Sequence, residues 1–325
     1  MQLIQFSGTD LWVSPLALGT VNFGTKLPEA DALRQMDEYR EAGNFIDTAR
    51  VYGDWGNGER SVSEKIVGRW LKSRGMTNKI IISTKGGHPA LTGPFIARVS
   101  RKELESDLNG SLTDLGVDAI DLYFLHRDDA SVPVGEILET LDDLRRIGKI
   151  RHYGLSNWTL PRIREAAEYA KSHRLEGFVC NQLMWSLAAI NRECVKDKTL
   201  ALMDGETLEY HSQTQMSVMA FTSIAKGYFA HRAAGTSIRA DKIAVYDSPL
   251  NDEIYASLLR LSRESGLPVS ELSLLYFRFQ PFPAVAIASF SKEEQLQAGL
   301  NTLKRAPDAE IVRRLHALRT DLIGG

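Results

Sequence analysis

Only two of the 325 residues are cysteine, Cys180 and Cys194, too few for a disulfide framework and wrongly spaced for a zinc knuckle. No apolar run approaches the roughly eighteen residues that a membrane-spanning helix requires. Neither sign of charge predominates. Thirty-nine Lys and Arg stand against 41 Asp and Glu, a net charge of −2, which leaves no general attraction to nucleic acid or to an anionic membrane. No basic residue precedes Lys26 and no apolar core opens the chain, so MQLIQFSGTDLWVSPL is not expected to be a signal peptide, and a cytoplasmic protein is expected. No Pro/Gly/Ser-rich linker or low-complexity tract interrupts the sequence, which favours one domain over residues 1–325. No GxGxxG turn follows the first apolar run, which argues against a doubly wound dinucleotide-binding sheet.

What is present is an enzyme-like balance of 43% apolar and 25% charged residues, and a recurring motif. Eight short apolar runs recur: Leu16–Gly19, Asn44–Asp47, Lys79–Thr84, Ala119–Leu125, His152–Leu155, Gly177–Asn181, Ser217–Phe221 and Ala284–Ala288. They are rich in β-branched or aromatic residues and short, as buried parallel strands are. Between them, Pro28–Ala42, Glu59–Ser73, Arg101–Leu115, Val134–Ile147 and Pro161–Ser172 space their apolar residues three and four apart, the helical period. Ser100 with Glu103 and Ser291 with Glu294 read as capping boxes, and Gly43, Gly116 and Gly148 fall where helices should stop. Eight strands alternating with helices predict an α/β fold, a (β/α)8 TIM barrel, with extended loops at the face where the strands end. Asn191–Gln215 reads as a long loop with a degenerate helix.

In such a barrel the chemistry sits at the C-terminal ends of the strands. Those positions hold Gly19 and Thr20, Asp47 followed by Tyr52, Lys85, His126, Ser156 and Asn157, Gln182, and Phe221 with Thr222. Asp, Tyr, Lys and His gathered at one mouth must satisfy one another, because an isolated buried charge is heavily penalised. A Lys–Asp pair meets that requirement. A lysine ammonium beside the Tyr52 hydroxyl should also lower its pKa from about 10. The tyrosine could then exchange a proton with a substrate oxygen that His126 orients or polarises. That constellation suits protonation of the alkoxide formed when hydride reaches a carbonyl.

With these residues in view the chain resembles the aldo-keto reductase superfamily over nearly its whole length. SGTDLWVSPLALGTVNFG is similar to the family's N-terminal β-hairpin and first strand. NFIDTARVYGDWGNGERSVSEKIVG resembles the segment with an Asp and a Tyr five residues apart, ISTKGG supplies the lysine, and DLYFLHRDD the histidine. IRHYGLSNW and VCNQLMWSL are similar to cofactor-binding strands. The resemblance implies NAD(P)H-dependent reduction of an aldehyde or ketone, with Tyr52 as general acid, Lys85 and Asp47 tuning it, and His126 positioning the carbonyl. It implies Ser156, Asn157 and Gln182 around the nicotinamide, Phe221 stacked on it, and Gly19, Thr20 and Asp47 close by. Thr222, Ile224 and Lys226 would follow the pyrophosphate, and Ser289, Ser291, Lys292 and Gln295 the adenosine end. The family commonly has an Arg and, four residues on, an Asn at the last of these; here Gln295 and Gly299 stand there, so NADP(H) is implied with NAD(H) also open.

Phe23, Trp55, His88, Arg127, Trp158 and Trp185 fall on loops or just past strand ends and are candidate substrate-pocket residues. An aromatic wall with polar groups suits a sugar or other polyhydroxylated carbonyl, and equally an aryl aldehyde. No second histidine at ligand spacing joins His126, so no metal is expected. The expected partner is a small carbonyl compound, with no nucleic acid and no membrane. Two other functions remain open: a nucleotide-binding regulatory subunit that keeps the fold, and an aldolase using Lys85 as a Schiff-base amine.

Overall fold

The structure, a computed structural model, describes residues 2–56 and 59–323. Two short antiparallel strands, β1 (Ile4–Gln5) and β2 (Trp12–Val13), form a hairpin ahead of the barrel. Eight strands then close into a parallel barrel: β3 (Leu16–Gly19), β4 (Phe45–Asp47), β5 (Ile81–Gly86), β6 (Ile120–Leu125), β7 (Ile150–Ser156), β8 (Cys180–Met184), β9 (Ser217–Phe221) and β10 (Ala284–Ala288). Neighbours follow chain order, and β10 pairs with β3 to complete the ring. This is the expected (β/α)8 barrel. No helix among the described residues is long and apolar enough to cross a membrane.

Successive side chains on a strand point to opposite faces, so each barrel strand is read in two registers. One register faces the surrounding helices: Leu18, Ile46, Ile82, Tyr123, Leu125, Tyr153, Leu155, Leu183, Val218 and Ala220 belong to the large core shared with them. The other points inward. Ala17, Phe45, Leu122, Phe124, Cys180, Met219, Val285 and Ile287 fill the lumen, and Phe6, Leu11 and Val13 of the hairpin close its lower end. Phe6 meets Phe45 edge-on at 5.9 Å, and the Ser7 amide donates to Ser217 Oγ at 3.0 Å. Gly154 takes part by omission, since a Cβ there would lie 2.4 Å from Phe124 Cε1. The lumen is therefore dry and full below, and the inward residues one step further up every strand form the mouth.

Helix boundaries follow the sequence signals closely for the first half of the chain. Arg101–Leu115 is helical as expected, with the Ser100–Glu103 capping box formed and Gly116 at φ 66 ending it. Three expectations are corrected. The strand expected at Gly177–Asn181 runs from Cys180 to Met184, because Gly177 (φ 76) still turns the chain and pairing with β7 starts only at Asn181. Ser291 and Glu294 form no capping box. The last barrel helix starts at Glu293, and Gln295 Oε1 instead accepts from the Ser291 amide (3.0 Å) and hydroxyl (3.3 Å). Asn191–Gln215 is more ordered than a loop: a short 3-10 turn, Arg192–Cys194, precedes a full helix, Gly205–Thr214, capped by Asp204.

The hairpin is also held from outside. His152 on β7 sits between two carboxylates, Nε2 against Asp10 at 2.9 Å and Nδ1 against Glu176 at 2.8 Å. Burial lowers its pKa, but the two carboxylates outweigh burial and hold it above the ordinary value. The clamp is thus complete below about pH 6.5, the unfolded-state value, and is lost as pH rises through the elevated folded pKa. Thermal unfolding followed from pH 6 to pH 9 should show the wild-type midpoint falling by about 1–3 °C relative to His152→Gln. Parallel pH profiles for the two proteins would count against a charged clamp.

Candidate active site

The mouth layer is the upward continuation of the lumen register. Gly19, Asp47, Lys85, His126, Gln182, Phe221 and Ser289 each lie two residues beyond an inward-facing neighbour. All of them but Lys85 line a cavity of about 590 Å³. Tyr52 reaches it from the loop after β4 and Trp55 from the same loop.

Asp47 and Lys85 are almost wholly buried, and Lys85 Nζ lies 2.7 Å from Asp47 Oδ2. Both carboxylate oxygens are engaged, since Oδ1 accepts from Ser83 Oγ at 2.8 Å and from Gln182 Nε2 at 3.0 Å. The ammonium also donates to the Thr48 carbonyl at 2.7 Å and lies 4.9 Å from the centre of the Tyr52 ring. Burial works against its charge, yet Asp47 and Tyr52 more than compensate and raise the Lys85 pKa, so it remains an ammonium. For Tyr52 the expected lowering is corrected. Burial raises its pKa by more than Lys85 lowers it, with Asp47 adding to the rise, so the phenol stays protonated.

His126 sits 6.0 Å from Tyr52, ring centre to ring centre, at 74°. Its amide donates to Gly86 O at 2.8 Å, while its Nδ1 is buried with no hydrogen-bond partner. Burial first, then the charges of Lys85, His88 and Arg127, hold its pKa well below the ordinary histidine value. The ring is neutral. A neutral phenol backed by an ammonium, beside a neutral imidazole, can donate a proton to an oxyanion and stabilise the phenolate left behind.

The rest of the cavity fits an extended, phosphate-bearing ligand with an aromatic ring. Phe221 ends β9 with one face half-exposed to the cavity, and Ser156, Asn157 and Gln182 line the wall beside it. After Phe221 the chain turns tightly through three residues with positive φ, Thr222 (55°), Ala225 (48°) and Lys226 (52°), with the Ala225 amide donating to Thr222 O and the Gly227 amide to Ile224 O, both at 2.7 Å. Lys26, Lys226 and Lys242 all face the cavity, and none forms an ion pair among the described residues. Gly19 lets the Ser289 side chain pack against its strand, because a Cβ there would lie 2.7 Å from Ser289 Oγ. A dinucleotide such as NADPH or NADH matches this combination, with Phe221 for the ring and the lysines for phosphates.

Of the residues singled out from sequence, Asp47, Tyr52, His126, Gly19, Ser156, Asn157, Gln182, Phe221, Thr222, Ile224, Lys226, Ser289, Ser291, Gln295, Trp55 and Arg127 line this cavity. Lys85 lies just beneath its surface. Six do not reach it. Thr20 is buried and braces the site from behind, its hydroxyl donating to Asp47 O at 3.1 Å. Lys292 is exposed at the N-cap of the last barrel helix. Phe23 packs into the core, because the turn from Thr20 to Leu27 folds its ring inward. Trp158 faces the helix layer, edge-on to Phe178 at 5.2 Å, and Trp185 donates from Nε1 to Tyr276 Oη at 3.2 Å. His88 lines a neighbouring cavity and touches the site only by its edge against His126, 4.7 Å between ring centres. Sequence reasoning missed Lys26, Lys242 and His231. Lys242 lies far in the chain from any strand end, and its charge was the available signal.

Comparison with known proteins gives a consistent picture. The family model described as the aldo/keto reductase family matches residues 15–320. The uncharacterized oxidoreductase YrpG of Bacillus subtilis (strain 168) is 30% identical over 328 residues, covering 97% of this chain and 95% of its own. Norsolorinic acid reductase stcV of Emericella nidulans is 35% identical over 188 residues, 54% of this chain and 47% of its own. A probable voltage-gated potassium channel subunit beta of Oryza sativa subsp. japonica is 26% identical, over 98% of this chain and 96% of its own.

The Asp47–Lys85 pair has a stability signature. Lys85→Met leaves a carboxylate buried without its cation and should cost about 3–5 kcal/mol in chemical denaturation, as should Asp47→Asn in the opposite sense. The double variant Asp47→Asn/Lys85→Met should cost less than the two singles added together. Strict additivity would mean that the two groups do not interact.

Proposed function

The chain belongs to the aldo/keto reductase family, and on that premise we propose that it reduces an aldehyde or ketone to the alcohol, with NADPH or NADH as cofactor. When bound, the nucleotide supplies the hydride. The protein supplies the proton, the orientation and the exclusion of water. Tyr52 holds the proton on a hydroxyl whose pKa lies above the ordinary value, so it donates only when negative charge builds on a nearby oxygen. Lys85, fixed by Asp47, then stabilises the phenolate. His126, held as the neutral imidazole with a single ring N–H to donate, directs the carbonyl oxygen toward Tyr52. The observation that supports this reading most is the buried Lys85–Asp47 pair set against the Tyr52 ring inside a cavity that also holds Phe221 and unpaired lysines.

Ser156, Asn157 and Gln182 are proposed to fix the carboxamide end of the nicotinamide, with Phe221 against its ring. Lys26, Lys226 and Lys242 are proposed for the phosphates, a role in which point charges replace the guanidinium fork that Gln295 lacks. Half-exposed Trp55, 6.1 Å from Tyr52, and polar Asn22 and Arg127 favour an oxygen-rich carbonyl substrate such as a sugar aldehyde. A second reading, a nucleotide-binding regulatory subunit, draws on the similarity to the rice protein named as a channel subunit. The intact proton-donating group argues against it.

Tyr52→Phe separates the two. In the enzyme it should lower kcat for aldehyde reduction by about 10²–10⁴. Titrations of NADPH and of NADH, followed by nucleotide fluorescence, should give unchanged affinities. Undiminished reduction by Tyr52→Phe would remove the tyrosine from its role, and tight nucleotide binding without turnover by the wild type would favour the regulatory reading.

A further inference from the structure

Arg127 follows His126 directly and lines the same cavity as Tyr52 and Trp55. It is not loose there. Nη1 donates to His126 O at 2.8 Å, Nε to Thr199 Oγ1 at 3.0 Å, and Nη2 to Asp197 Oδ2 at 3.0 Å. Those bonds use three of the five N–H groups of a guanidinium and leave two. Asp197 belongs to the segment that crosses the cavity edge between the 3-10 turn and Leu200, and nearly half of its side chain is exposed. Its other oxygen accepts from the Thr199 amide at 3.0 Å and hydroxyl at 2.5 Å. Burial would raise its pKa, but the Thr199 contacts and Arg127 together hold it down, so it is an anion.

The charges around the reacting carbonyl therefore cancel in pairs. Lys85 is matched by Asp47 and Arg127 by Asp197, and His126 is neutral. A substrate carboxylate entering here would shed its hydration shell and meet a cation already matched by Asp197. A neutral compound with a hydroxyl or second carbonyl oxygen loses little and can accept from the two spare N–H groups.

We infer that the Arg127–Asp197 pair is the charge selector of this site, admitting neutral oxygen-bearing carbonyl compounds and turning away carboxylated ones. The inference rests on the carbonyl-reductase reading above and adds to it which residues set substrate charge. Removing the Asp197 charge exposes an unmatched guanidinium at the same place, so selectivity should shift toward anions, a reversal that loss of a merely structural contact does not produce.

The test compares succinic semialdehyde with its methyl ester, which share a skeleton and differ in charge. The wild type should favour the ester in kcat/KM by about tenfold or more. In Asp197→Asn the acid-to-ester ratio should rise by about tenfold or more, mainly through KM for the acid. Arg127→Gln added to Asp197→Asn should abolish that rise, and nucleotide titration with thermal melts confirms that each variant is folded. A wild type that favours the acid, or an Asp197→Asn ratio equal to that of the wild type, overturns the selector while leaving the reductase intact. Failure of the wild type to reduce either compound, 4-nitrobenzaldehyde or glyceraldehyde with either nucleotide overturns the reductase reading, and the selector with it.

Discussion

A lysine and an aspartate locked together inside the mouth of a barrel are the constraint around which the rest of this protein is arranged. Neither could be buried alone. The carboxylate survives because Ser83, Gln182 and Lys85 use its acceptor sites, and the ammonium survives because Asp47 and a main-chain carbonyl receive its protons. The outcome for Tyr52 is decided by competition between two effects of similar origin. The ammonium draws the phenol toward ionisation and burial opposes it; burial wins, and the group is held as an acid rather than a standing phenolate.

The pleat of the strands explains why these groups meet. Phe45 and Asp47 share a face, as do Phe124 and His126, Cys180 and Gln182, Met219 and Phe221. The same two-residue step that fills the lower lumen with apolar side chains brings a polar one to the mouth on three of these strands and the half-exposed Phe221 ring on the fourth. Plugging the bottom with Phe6, Leu11 and Val13 keeps water out from below, so the low-dielectric floor and the reactive layer are parts of one construction.

Much of this was legible in the chain because it is local. An apolar run followed by a polar residue marks a strand end, and Asp47, Lys85 and His126 each stand at one. Tyr52 was legible through its spacing from Asp47. The failures were those where direction in space decides. Phe23, Trp158 and Trp185 sit near the mouth in sequence, but their loops and strands point the rings outward or into the core. Lys26 and Lys242 are far apart in the chain and come together only because a loop and the short helix Ala240–Tyr246 border the same cavity. Gln182 was placed past its strand because Gly177 delays the start of pairing. The direction of the Tyr52 shift depended on how deeply the ring is buried, a quantity no spacing records.

The most direct measurement is an ultraviolet difference titration of the free protein, wild type minus Tyr52→Phe, following tyrosinate absorbance. The Tyr52 phenol should ionise above the ordinary value of about 10, and replacing Lys85 with methionine should move it higher still. Ionisation near neutral pH, or no response to loss of Lys85, would contradict a neutral phenol held against a buried ammonium.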